Sequence, residues 1–116
     1  MKPFTRAERV GKLIQETLSD LLLKQINDPR LEMTIITEVR MSSDLKFAKI
    51  FFSTSEYGQK REQVAQGFQS AMGYIRRELA RKLELRYMPV LKFCYDESFD
   101  YSARIEELLR SEKNEA

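Results

Sequence analysis

Apolar residues recur along the chain in two rhythms, and the switches between them divide it into elements. Val10, Ile14, Leu18, Leu21 and Leu22 fall mostly three or four apart, the spacing that gathers side chains on one face of a helix. "TRAE" at Thr5 to Glu8 has the form of a capping box, with Thr5 accepting from a first-turn amide and Glu8 reaching back. Arg6, Arg9 and Lys12 step along a different face of the same helix. "NDPRL" ends it, because Pro29 pushes Asp28 out of helical conformation.

The rhythm then shortens. Met33, Ile35, Thr37, Val39 and Met41 alternate with Thr34, Ile36, Glu38 and Arg40, which predicts a strand with the first set on one face. After the polar "SSDL", a second strand sets Ala48, Ile50 and Phe52 on one side and Phe47, Lys49 and Phe51 on the other, forming an antiparallel hairpin with the first. From about Gln59 the period is helical again, through Val64, Phe68, Ala71, Met72, Ile75, Leu79 and Leu83. Gly67 and Gly73 each cost about 1 kcal/mol relative to alanine. A break at Gly73 would divide this long stretch into two helices. "YMPVLKFCYD" is a third strand, and Ile105, Leu108 and Leu109 mark a short final helix.

The order helix, strand, strand, helix, break, helix, strand, short helix predicts a two-layer α+β domain with helices on one face of the sheet. The second and third strands are separated by helix, so a parallel pairing between them is expected. One domain over residues 1–110 is expected, with 111–116 as a disordered acidic tail.

Composition narrows the chemistry. The chain of 116 residues has no histidine and one cysteine. This removes Ser-His-Asp and Cys-His nucleophile arrangements, most zinc sites and any internal disulfide. Cys94 is expected in the core. Asp44, Asp96 and Asp100 fit turns and caps better than a metal cluster. No apolar run approaches the roughly 18 residues of a membrane span. The opening "MKPFTRAERV" lacks the apolar segment of a signal peptide, so a cytoplasmic protein is expected, with no cofactor, no metal and no membrane partner.

The net charge of +2 conceals segregation. Residues 1–12 carry four basic groups against one acidic, residues 60–92 eight against three, and residues 96–116 three against seven. Segregated positive charge is rewarded by a nucleic-acid backbone, whose counterions it releases. After a break at Gly73, Ile75, Leu79 and Leu83 face the core. Arg77 and Arg81 lie opposite, with Arg76 and Lys82 on the flanks. Free amides at a helix start, a glycine and arginines together suit a phosphate. The same residues equally suit a solvated basic face. Phe47 and Phe51 fit either stacking on bases or packing within the sheet.

Several segments together carry a family resemblance: "RAERVGKLIQETLSDLL", "DPRL", "ITEVRMSSDLKFAKIFFS", "SAMGYIRRELARKLELRYMPVLKFCYDES" and "RIEELL". In this order and spacing the chain resembles the ribosome-binding factor A family of bacterial small-subunit maturation factors. The resemblance implies a type II KH-like fold in which Ala71, Met72 and Gly73 form an interhelical kink in place of the usual G-x-x-G loop. It implies a non-enzymatic, monomeric factor that binds free 30S subunits and 16S rRNA late in maturation. A part in processing the rRNA 5′ end, a part in growth in the cold, and release by another assembly factor or a GTPase are further implications. The expected rRNA contacts are Arg6, Arg9, Lys12, Gly73, Arg76, Arg77, Arg81 and Lys82, with Lys46 and Lys49 as lesser candidates. A protein-interaction adaptor of a ribonucleoprotein, docking through the acidic tail, is the alternative.

Overall fold

Helix α1 (Arg6–Lys24) begins at the expected cap, where the Thr5 hydroxyl accepts from the Glu8 amide at 3.1 Å. The computed structural model describes residues 5–54 and 60–114. After α1, the Asp28 carboxylate accepts from the Arg30 amide at 2.9 Å and from its guanidinium at 2.7 and 3.1 Å, shaping a single 3-10 turn over Pro29–Leu31. Strands β1 (Ile35–Met41) and β2 (Phe47–Ser53) follow, then helix α2 (Arg61–Leu83), strand β3 (Val90–Tyr95) and helix α3 (Glu97–Asn114). β2 is central, antiparallel to β1 and parallel to β3, as the crossover through α2 requires.

The core lies between this sheet and the α1–α2 layer. Ile14, Leu18 and Leu21 of α1 and Phe68, Ile75 and Leu79 of α2 are buried against Ala48, Ile50 and Phe52, the inward set of β2. Phe68 meets Phe52 edge-on at 5.3 Å and stacks on Phe93 of β3 at 4.1 Å. Burying an aromatic or branched aliphatic side chain contributes about 1.5–3 kcal/mol, so these residues dominate the energetics of the fold.

Several expectations need correction, three of them in the sheet and α2. First, strict alternation in β1 fails at Thr37. Ile36 pairs with Phe52 and Glu38 with Phe51, so Thr37 is an extra residue in a β-bulge. Ile36 therefore points into the core, and Val39 and Met41 pack against it, while Ile35 faces out. The Gln15 amide of α1 donates to the carbonyls of Ile36 and Thr37, at 3.3 and 3.2 Å, satisfying the bulged backbone. The Thr37 hydroxyl hydrogen-bonds the Asp96 carboxylate.

Second, the two helices expected on either side of Gly73 are one continuous helix. Gly73 sits on its exposed surface, where an added Cβ would meet nothing within 4 Å. The glycines that matter for packing are Gly67, where a Cβ would lie 2.9 Å from the Leu31 side chain, and Gly11, where it would lie 3.0 Å from the Val39 carbonyl oxygen. Third, Cys94 is only half-buried, because Leu91, Phe93 and Tyr95 are the β3 residues that pack with the core.

Helix α3 is held at its start. Asp96 caps it by accepting from the Phe99 amide at 3.0 Å, and the Asp100 carboxylate accepts from the Tyr95 hydroxyl and from Ser53. Beyond that first turn Ile105, Leu108 and Leu109 stand exposed instead of packing on the domain. The helix continues through Asn114, past the boundary expected at 110, since 97–114 contains neither glycine nor proline. Residues 115–116 of the expected tail lie outside the described residues.

Gly11→Ala is expected to lower the unfolding free energy by about 1 kcal/mol, as overpacking against the backbone of β1 outweighs the gain in helix propensity. Gly73→Ala, into open space, is expected to raise it by up to about 1 kcal/mol. Urea unfolding measures both, and a destabilised Gly73→Ala would show that the glycine carries strain. Burial, and then the hydrogen bond to Asp100, push the Tyr95 phenol up to about 12. An unfolded tyrosine titrates near 10, so this contribution to stability is intact below about pH 10 and is lost as pH rises through about 12. Tyr95→Phe should remove that part of the alkaline loss, read from unfolding midpoints across the window.

Candidate nucleic-acid interface

The α2 cations divide by what holds them. Ile75, Leu79 and Leu83 turn inward, which leaves Arg77, Arg81 and Lys82 on the solvent side of the helix. Arg77 has no ion-pair partner among the described residues. Arg81 bonds Glu78 at 3.2 Å but its side chain is 72% exposed, so the pair is screened by water and easily exchanged for another anion. Arg76 differs. It is half-buried, and its guanidinium donates to the Pro89 carbonyl at 3.3 Å, tying α2 to the connection that leads into β3. Arg76 therefore supports the fold.

Continuity of α2 changes the chemistry expected at Gly73. In one unbroken helix the amides after Gly73 are engaged in helical hydrogen bonds, so no free helix start is available there for a phosphate. What Gly73 supplies is a bare stretch of helix surface one turn before Arg77, where a partner can come close to the backbone. Ala71 and Met72 are half-buried and pack toward the core.

The α1 cations Arg6, Arg9 and Lys12 are all exposed, yet they do not form one patch. α1 and α2 run in opposing directions. Gln25 at the end of α1 accepts from the Tyr74 hydroxyl in mid-α2 at 2.7 Å, and Arg6 at the start of α1 lies beside Leu85 to Met88, just past α2. Arg6 thus joins the basic end of α2. Arg9 and Lys12 border a shallow hollow toward β1, with Leu13 and Val39 and with Glu8 and Glu16 nearby.

Sequence reasoning missed Arg86 and Tyr87. They follow α2 in "LRYMP" and face Lys46 of the β1–β2 turn and Phe47 at the start of β2 across a second hollow. A cation beside an aromatic immediately after a basic helix was the available signal. Of the other β2 aromatics, Phe51 lies under the Arg40 guanidinium at 5.2 Å, and Phe52 belongs to the core. Asp44 serves the hairpin turn, accepting from the Ser42 hydroxyl at 2.7 Å and the Lys46 amide at 3.0 Å. Those hydrogen bonds hold its carboxyl below the usual range. No helix among the described residues is long and apolar enough to cross a membrane.

Comparison with known proteins places this surface in context. The family model described as ribosome-binding factor A matches residues 6–109. A ribosome-binding factor A of Desulfatibacillum aliphaticivorans is 51% identical over 110 residues, covering 95% of this chain and 89% of the relative. The crystal structure of ribosome-binding factor A from Thermus thermophilus has the same fold, with a TM-score of 0.69 at 20% identity over 77% of this chain and 93% of that one. A homology model of the Thermus thermophilus protein, fitted into the cryo-EM map of its 30S complex, gives a TM-score of 0.63 at 21% identity, covering 80% and 97% of the two chains.

The division among the arginines is measurable. Arg76→Ala is expected to cost about 1–2 kcal/mol of stability, from a lost charged hydrogen bond and a carbonyl left without its donor. Arg77→Ala is expected to stay within about 0.5 kcal/mol of the parent. Urea unfolding of both separates them, and equal costs would contradict the fold-supporting role of Arg76.

Proposed function

The chain belongs to the ribosome-binding factor A family, and on that premise we propose that it is a non-enzymatic assembly factor that binds the 30S subunit through 16S rRNA during late maturation. The observation that carries this reading is the row of exposed cations Arg77, Arg81 and Lys82 over the last two turns of α2, with Arg6 beside the connection that follows. The fitted 30S complex of the Thermus relative supports it. Such cations neutralise phosphates and release counterions, giving affinity with little base specificity. Gly73 lets the RNA strand pass close to α2, and Arg9 and Lys12 extend the contact along α1. Arg76 acts indirectly, by holding the connection after α2. The protein binds as a monomer, and release follows when mature rRNA structure or another assembly factor, including a GTPase, competes for the surface. Processing of the rRNA 5′ end and growth in the cold depend on this binding.

A second reading, a protein-interaction adaptor, draws on the exposed Ile105, Leu108 and Leu109 of α3. Charge reversal separates the two. Arg77→Glu combined with Arg81→Glu is expected to weaken binding to purified 30S subunits by tenfold or more and to reduce its salt dependence by about two phosphate contacts. Leu108→Ser combined with Leu109→Ser is expected to leave binding unchanged. Filter binding or sedimentation across salt concentrations checks this, and the reverse pattern would transfer the function to α3.

A further inference from the structure

The hollow between the β1–β2 turn and the α2–β3 connection has the composition of a nucleobase pocket. Its volume is about 530 Å³ and its floor is apolar, formed by Leu45, Leu85, Met88 and Val90. That size is within the range of small-ligand sites. Two aromatic rings from different elements border it, Phe47 at the start of β2 and Tyr87 in the connection, 58% and 74% exposed. Neither ring is spent on the core.

Three cations line the same hollow: Arg6, Lys46 and Arg86. None has an ion-pair partner among the described residues. The one carboxylate in the lining, Asp44, is engaged by Ser42 and the Lys46 amide within its own turn. The Arg86 guanidinium lies 5.4 Å from the centre of the Tyr87 ring, a cation–π contact that favours a flat platform beside a positive charge.

The walls are also preorganised. The Ser42 amide donates to the Phe47 carbonyl at 2.9 Å, and the Phe47 amide to the Ser42 hydroxyl at 3.0 Å. Leu45 is held in left-handed conformation at φ 63°. The Val90 amide donates to the Lys46 carbonyl at 2.9 Å, joining one wall to the other, and Arg76 fixes the far wall at Pro89. The backbone of both walls is thus fixed in advance, which removes that part of the ordering cost of binding.

We infer that this hollow receives one unstacked base of single-stranded RNA, with Phe47 and Tyr87 as its stacking surfaces and Arg6, Lys46 and Arg86 on the adjoining phosphates. The inference rests on the reading of the chain as an rRNA-binding factor and adds a base-contacting site to it. Apolar floor, exposed rings and three cations against the single carboxylate of Asp44 match a nucleotide in each of its parts. Stacking tolerates any base, so the pocket selects for an unpaired strand more than for a sequence.

The chain has no tryptophan, so Tyr87→Trp introduces a single indole at the pocket. Its emission is expected to be quenched saturably by a six-nucleotide oligoadenylate. Leu23→Trp, at an exposed position on α1 outside the pocket lining, should not respond. Phe47→Ala combined with Tyr87→Ala is expected to weaken binding to protein-free 16S rRNA by roughly tenfold while leaving its salt dependence unchanged. Tyr87→Phe should retain binding. Absence of either the quenching or the affinity loss, in variants with parental circular dichroism, overturns the pocket. If the double variant loses 30S binding but keeps protein-free rRNA binding, the occupant is a protein and the inference fails. If the parent protein binds neither rRNA nor 30S subunits, the functional reading itself fails, a result distinct from failure of the pocket alone.

Discussion

The parallel pairing of β3 with β2 is the constraint on which the rest of the molecule depends. Phe47 opposite Val90 at one end and Phe52 opposite Tyr95 at the other require the chain to leave the end of β2 and return to the side where β2 began. Helix α2 makes that return. At a rise of 1.5 Å per residue, its 23 residues span about 34 Å, and it lies over the sheet with Phe68, Ile75 and Leu79 beneath it. The return delivers its basic end, and the connection after it, to the β1–β2 turn. Cations from residues far apart in sequence, Arg6, Lys46 and Arg86, come to one end of the domain for this topological reason.

The parts of the fold legible in the sequence were those set by neighbouring residues. The Thr5 cap, the two faces of β2 and the crossover to a parallel β3 each follow from spacing within a segment. The bulge at Thr37 was not legible, because it is held by Gln15 of α1 and Asp96 before α3, 22 and 59 residues away. Alternation alone read Ile35 as sharing a face with Val39, and the extra residue reverses that. Glycine misled for a related reason. A cost of about 1 kcal/mol at Gly73 is small against the burial of Phe68, Ile75 and Leu79 on either side of it, so the helix runs through. The significance of Gly11 and Gly67 resides in Val39 and Leu31, which no local pattern connects to them.

At the candidate interface, residue types were legible and their tasks were not. Arg76 and Arg77 are adjacent in sequence and point in different directions, one onto the Pro89 carbonyl and one into solvent. The turn of the helix decides this, and only the path of the following loop supplies the carbonyl. Arg86 and Tyr87 were passed over because they lie outside any periodic segment. Their partners across the hollow, Lys46 and Phe47, arrive through the strand pairing. In the proposed rRNA complex, phosphate contact falls to side chains, since α2 offers no helix start at Gly73. Side-chain contacts of this kind are strongly screened by salt.

The bulge in β1 has one more consequence, for solubility. β1 is an edge strand, and a flat edge is a template on which a second chain can add. The extra residue at Thr37 interrupts the regular spacing of backbone groups along that edge. Glu38 and Arg40 beside it, joined at 2.9 Å, put charge of both signs on the outer face of this edge strand, where Arg40 covers Phe51. A deformation that turns Ile36 into the core thus also shields the open side of the sheet against self-association.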